Sequence, residues 1–177
     1  LTSLNIRGFH VFQWGNILEL DKLTNIWTKT IESILTLSKE INIPCEVLDL
    51  GGGLGVHYKF EGTNINFKEV QKILVDLKNK YSLNKIWMEL GRYTVAECGM
   101  YLTKIIDKKK SRGQDILVCE GGINHIARVA LVNEAFPAKA FNNSSSKTKS
   151  YQVHGPLCTA LDHLGTFDLP ENIMIGD

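Results

Sequence analysis

Gly51, Gly52, Gly53 and Gly55 close the stretch from Leu48 to Gly55, directly after a short apolar run that reads as a buried strand. Glycines in that position let the backbone turn with few steric limits. They also let a ligand approach without a Cβ in the way. Successive N–H groups in such a turn form a concavity that suits phosphate. A tight strand-to-helix turn with no ligand explains the same residues, and this stretch alone does not separate the two. A second group, Glu89-Leu90-Gly91-Arg92, sets a carboxylate and a cation after another apolar run.

Two nucleotide readings fail on spacing. A Walker loop needs Gly-Lys followed by Ser or Thr, and Leu54-Gly55-Val56 does not supply it. The dinucleotide pattern needs a third glycine three residues after G-x-G, where this chain has Val56 or Tyr58. A pyridoxal phosphate site fits better. It needs a phosphate cup, a carboxylate at the ring nitrogen and a flat group on the ring face. Glu89 would favour the protonated nitrogen, because a nearby negative charge stabilises the cation. The ring is then a stronger electron sink. Taken singly, Glu89 has a plainer explanation as a strand-end acid beside a Lys or Arg, and His10 as a hydrogen-bonded core histidine.

These residues need elements to hold them. A strand is expected from about Ser3 to Phe12, with His10 and Phe12 two apart on one face. Asp21 is placed to cap a helix whose apolar positions, from Leu23 to Ile41, follow the 3.6 period. Glu46 to Leu50 is the second strand. Asn66 with Glu69 resembles a capping pair, and Val70 to Tyr81 carries the next helical face. Lys85 to Leu90 is the third strand. Strand, helix, strand, helix, strand is the grammar of a parallel sheet covered by helices. Ligands in such folds sit at the carboxyl ends of the strands, where His10, the glycines and Glu89-Arg92 all fall.

From about Cys98 the pattern turns β-rich. Strands are expected over Met100–Ile106, Asp115–Cys119 and Tyr151–His154, with Lys108–Gly113 as a solvated turn and Asn142–Ser150 as a polar surface loop. The 177 residues carry a net charge of +1, which gives no electrostatic case for nucleic acid or an anionic membrane. No apolar run approaches the ~20 residues that span a bilayer. The cysteines (Cys45, Cys98, Cys119, Cys158) are widely spaced, so neither a disulfide framework nor a metal site is expected, and a reducing cytoplasm is.

Four segments together carry a resemblance. LDLGGGLG, MELGRY, EGGINHIARVAL and HGPLCTALD resemble, in order and approximate spacing, motifs of the pyridoxal-phosphate-dependent decarboxylases that act on diaminopimelate, ornithine and arginine. That family has the alanine-racemase-like, type III fold. The resemblance implies α/β plus β architecture: residues 1–97 as the later part of a (β/α)8 barrel, and 98–177 as an incomplete β-rich C-terminal domain. It implies that Gly51, Gly52 and Gly53 bind the cofactor phosphate, that Glu89 faces the pyridine nitrogen, and that Gly91 and Arg92 approach the phosphate, with Arg92 reaching substrate. Cys158 matches the cysteine that handles the proton after carbon dioxide leaves, donated across a homodimer with shared active sites. Glu120, Arg128, Thr159 and Asp162 fall on the substrate side. A non-catalytic relative and an amino-acid racemase are the competing functions; the HGPLCTALD segment argues against the racemase.

The departures from the family pattern point to a branch. The first strand often reads G-x-H-x-H-x-G-S, and here Phe12 takes the place of the ring-stacking histidine, with His10 two residues before it. Phenylalanine can stack but cannot hydrogen-bond. Leu90 and Val129 replace prolines. Thr159 replaces the acid that reads a distal amine, so a free basic amino acid is a less natural substrate. These features are nearer the secondary-metabolism branch, which includes decarboxylases of carrier-protein-linked glutamyl groups and siderophore- and exopolysaccharide-associated relatives. The family's Schiff-base lysine lies in an early A-x-K-A-N-like strand that has no counterpart here, so the chain is expected to hold the middle and later part of such an enzyme.

Overall fold

A computed structural model describes residues 4–58, 62–133, 135–141 and 145–177. The expected strand start at Ser3 and positions 142–144 of the expected polar loop lie outside the described residues. The chain divides into two compact units that meet in sequence between Gly99 and Met100, and Tyr58 groups with the second.

The first unit alternates strand and helix. Its three strands, β1 (Gly8–His10), β2 (Val47–Asp49) and β3 (Lys85–Trp87), run parallel in the order β1-β2-β3. Phe9 pairs with Leu48 and Leu48 with Ile86, so Leu48 stands at the centre of the sheet and is fully buried. The connection α1 (Leu20–Glu40) buries Leu23, Trp27, Thr30 and Ile31, the i, i+3, i+4 stripe that a core-facing helix requires. Asp21 lies inside its first turn, and Glu19 holds the N-cap position without a side-chain hydrogen bond. A carboxylate there still complements the exposed amides of the helix start. The second connection, α2 (Phe67–Lys80), forms half of the expected capping pair: the Asn66 side chain accepts a hydrogen bond from the Lys68 amide at 3.0 Å, while Glu69 lies in the first turn without a side-chain bond to Asn66 among the described residues. The first strand is shorter than the spacing predicts, because regular pairing with β2 ends at His10. A four-residue helix, α3 (Arg92–Val95), follows β3.

The second unit is a four-stranded sheet in the order β4-β5-β6-β7, formed by β4 (Ile105–Ser111), β5 (Gln114–Cys119), β6 (Thr148–His154) and β7 (His163–Pro170). Only β5 and β6 pair in parallel. Burial alternates along the strands, with Leu117 and Cys119 on β5 and Tyr151 and Val153 on β6 facing one core. The expected strand over Met100–Ile106 is displaced: β4 starts at Ile105 and runs through Lys108, Lys109 and Lys110, residues expected in the turn. The turn itself is only Arg112-Gly113, with φ of 49° and 80°, the left-handed pair that matches strand twist in a tight hairpin. Lysines suit β4 because it is an edge, and charge there discourages pairing with another chain. Residues 148–150, expected in the polar loop, open β6 instead. A short helix, α4 (Arg128–Val132), lies between β5 and β6. Among the described residues no helix is long and apolar enough to cross a membrane.

Leu48→Ala should cost about 2–5 kcal/mol in chemical denaturation, since it removes a fully buried side chain from the middle of a sheet. Leu131→Ala, at 82% exposure, should change stability by less than about 0.5 kcal/mol. Equal effects from the two would contradict this core.

Candidate active site

Each glycine after β2 has a reason within the chain. Gly51 and Gly53 adopt φ of +67° and +105°, which L side chains rarely tolerate. A Cβ on Gly52 would stand 2.4 Å from the Glu89 carbonyl oxygen, and one on Gly55 would stand 2.6 Å from that of Ile17. The segments after β1, β2 and β3 therefore pack backbone against backbone. The Asp49 side chain accepts from the Gly51 amide at 2.9 Å, the Gly51 carbonyl accepts from the Glu89 amide at 2.8 Å, and the Gly53 carbonyl accepts from Ile17 at 2.9 Å. The amides of Gly52 and Gly53 have no acceptor among the described residues. The turn thus leaves two adjacent donors for an anion.

These donors line a cleft of about 210 Å³ at the carboxyl ends of the strands. Phe12, Glu89, Leu90, Gly91 and Arg92 line it too. Gly91 differs from the other glycines, because a Cβ there would meet nothing within 4 Å. Packing does not demand glycine at 91, whereas the cleft it borders would lose space to a side chain. Phe12, which also lines it, is 61% exposed. His10, the last residue of β1, does not line the cleft; its Nε2 lies 3.2 Å from a Glu89 carboxylate oxygen. Asp49 completes the cluster, with one potential ligand atom from each of His10, Asp49 and Glu89 all within 4.8 Å of one another. Asp49 is tied to the Gly51 amide and His10 to Glu89, so hydrogen bonds account for the array.

The remaining candidates lie in the second unit. Glu120 is exposed at the end of β5, with its amide bonded to the Lys104 carbonyl at 2.8 Å. Cys158 and Thr159 are exposed on the turn between β6 and β7. Arg128, at the start of α4, places its guanidinium 5.7 Å from the Tyr58 ring centroid. Asp162 does not fit the expectation that it meets substrate. It is 1% exposed, and its two carboxylate oxygens accept from the Ile123 amide at 2.8 Å and the Leu157 amide at 2.7 Å. Its chemistry is directed at the backbone, and the sequence offered no sign of that beyond an acid at the end of the motif.

All four cysteines are free thiols. Burial pushes the Cys119 thiol up to about 11, whereas Cys98 and Cys158 are exposed. The thiolate is the reactive form. Iodoacetamide at pH 8 should therefore modify Cys98 and Cys158 in the folded protein, with Cys119 at least about a hundredfold slower. Peptide mass spectrometry reads this directly, and comparable rates for all three would refute the burial of Cys119.

Comparison with known proteins adds the family. A model described as pyridoxal-dependent decarboxylase, C-terminal sheet domain, matches residues 45–177. The chain is 29% identical to the diaminopimelate decarboxylase of Haemophilus influenzae over 166 residues, covering 93% of the chain and 40% of that protein. It is 24% identical to the L-glutamyl-(BtrI acyl-carrier protein) decarboxylase of Niallia circulans over 171 residues, 89% of the chain and 40% of that protein. The crystal structure of diaminopimelate decarboxylase from Helicobacter pylori, complexed with L-lysine, superposes with a TM-score of 0.77 at 25% identity, covering 96% of this chain and 41% of that one. A structure from Aquifex aeolicus reaches a TM-score of 0.86 at 24% identity, with 99% and 43% covered. The chain thus spans about two fifths of the length of the relatives it matches. Through the sheet-domain match, which runs over most of its residues, the chain belongs to the pyridoxal-dependent decarboxylases.

Proposed function

We propose that the protein catalyses pyridoxal-phosphate-dependent decarboxylation of an amino acid or an amino-acid conjugate. The observation that carries this is the first-unit cleft, which Gly52 and Gly53, with their unsatisfied amides, line together with Glu89 and Phe12. These are the groups such a cofactor needs: donors for its phosphate, an anion for its ring nitrogen and a flat face for its ring. On this reading the parallel sheet is the later part of a (β/α)8 barrel over residues 1–97. Residues 98–177 are the C-terminal sheet domain.

Bound pyridoxal phosphate supplies an electron sink at the substrate Cα. The chain's own residues do the rest. Gly52 and Gly53 donate to the phosphate, with Gly91 leaving room beside it and Arg92 adding charge. Glu89 favours the protonated ring nitrogen, and the hydrogen bond from His10 holds its carboxylate in place. Phe12 covers one ring face in place of a histidine. Cys158 gives its thiol proton to the Cα that has lost carbon dioxide, and solvent restores that proton. Cys158 serves the cup of a second copy, so the working form is a homodimer with shared sites. Glu120 and Arg128 face the substrate's distal end, and Thr159 lacks the charge that would pair with a distal amine. That favours a conjugated substrate, such as a carrier-protein-linked aminoacyl group, over a free diamino acid. The free thiols accord with a cytoplasmic location.

The test is a product panel with the full-length protein and added cofactor. Carrier-linked glutamate, ornithine and diaminopimelate are offered, and carbon dioxide and amine products are followed by mass spectrometry. Turnover is expected on the conjugate, and Glu89→Gln should lower it by about a hundredfold or more, the scale of losing one preorganised electrostatic partner. Cofactor absorbance without carbon dioxide, accompanied by exchange of the Cα proton into D2O, would make the protein a racemase. No cofactor absorbance at all would sink both.

A further inference from the structure

The Gly121–Ile123 and Gly155–Leu157 segments of the second unit touch at Gly122 and Gly155 with no side chain between them. A Cβ on Gly155 would stand 2.5 Å from the Gly122 Cα, and one on Gly122 would stand 2.7 Å from the Gly155 Cα. Both would also strike the Asp162 carboxylate, at 2.4 Å and 2.1 Å. That carboxylate is buried and bonds one amide from each segment, Ile123 and Leu157. The Asp162 backbone closes the same turn: its carbonyl accepts from Gly155 at 2.9 Å, and its amide donates to Thr159 at 3.1 Å. A carboxylate withdrawn from water costs several kcal/mol unless charged acceptor bonds offset it. Here the two oxygens are satisfied by two different loops, so the favourable arrangement exists only while both loops stay put.

The loops carry the two candidate residues of this unit. Leu157 immediately precedes Cys158, and Glu120 immediately precedes Gly121. We infer that Asp162 is a positioning residue: its buried carboxylate clamps both loops and so fixes the Cys158 thiol and the Glu120 carboxylate for the reaction. The inference rests on the proposed function for the meaning of Cys158, but the clamp is testable without turnover. Neither Asp162 oxygen needs to reach substrate, which distinguishes this role from the substrate contact expected from the motif.

The test uses the full-length protein with cofactor and the variant Asp162→Asn, which keeps the shape but turns one acceptor oxygen into a donor facing an N–H. Asp162→Ser, shorter and able to serve one amide at most, is the second variant. Hydrogen exchange at the Ile123 and Leu157 amides should quicken at least about tenfold in the variants, as expected for local opening. The rate of Cys158 alkylation by iodoacetamide should change about threefold, because the turn that carries the thiol is released. Cys98 and Cys119 should keep their rates, which general destabilisation would not allow. In the substrate panel, the losses from Asp162→Asn and Cys158→Ala should fall well short of additive, as for residues acting through one another. Unchanged exchange at both amides, equal acceleration of all three cysteines, fully additive losses, or failure of both variants to fold would each overturn the positioning role. Wild-type turnover in Cys158→Ala would instead remove Cys158 from the reaction, leaving the clamp to be judged by exchange and alkylation alone.

Discussion

Three backbone segments meet at residues 51–55 with too little room for a single Cβ. The Val11, Trp14, Ile17 and Glu89 carbonyl oxygens all stand within 3.0 Å of where a glycine side chain would begin. This contact ties the exits of three parallel strands into one rigid surface. His10 and Phe12 come from the first exit, the two unsatisfied amides from the second, and Glu89, Gly91 and Arg92 from the third. Their relative positions follow from main-chain packing, which is less compliant than contact through side chains. A larger residue at Gly52 would therefore separate Glu89 from the anion cup before it met any ligand. Folding and the proposed binding thus demand the same residue for different reasons. This is why the glycine run alone could not separate a bare turn from a site.

The second unit solves the same problem with charge. There, two glycines let loops approach, and a buried carboxylate bonds across them. Bonds to a charged acceptor are worth about 1.5–3 kcal/mol each, roughly twice a neutral pair, and they are directional. In the first unit the contact itself leaves no freedom. In the second, the freedom of an exposed turn is removed by one side chain. On the proposed reading, the Cys158 thiol on this turn needs that restraint, because an exposed loop would otherwise sample many orientations.

How much of this was legible depended on the range of the interaction. The Asn66 cap and the Leu23, Trp27 and Ile31 stripe of α1 are legible because both are set within one or two turns of chain, whereas the expected Asp21 cap does not form and Ile41 lies exposed beyond the helix. The glycine run and Glu89, expected at strand ends far apart in sequence, line one cleft. The lysines at 108–110 misled, because local charge suggests a solvated turn, and only the sheet order reveals an edge strand that carries them. Strand β7 went unnoticed: its inward Leu164 and Leu169 are interrupted by Gly165, Thr166 and Asp168, and its identity comes from pairing with β6. The Asp162 clamp was invisible for the same reason, since its partners are backbone amides that no residue type announces. The His10 bond to Glu89 joins residues 79 apart in sequence and likewise has no local trace.

The departures from the family pattern gain meaning when placed on this geometry. Phe12 faces the cleft, while His10 is occupied with Glu89, so the two aromatic residues have divided tasks. On the proposed reading, the ring face is covered by a side chain that offers no hydrogen bond, and polar control of the cofactor passes to the Glu89 side. Thr159 then removes a charge from the substrate side. Discriminating a free diamino acid requires an ion pair at its far end, since unpaired charge is costly to desolvate. A conjugated substrate has no such need, because contacts along its carrier or linker supply affinity and register. On the proposed reading, the lost distal acid is consistent with a substrate recognised mainly outside the pocket.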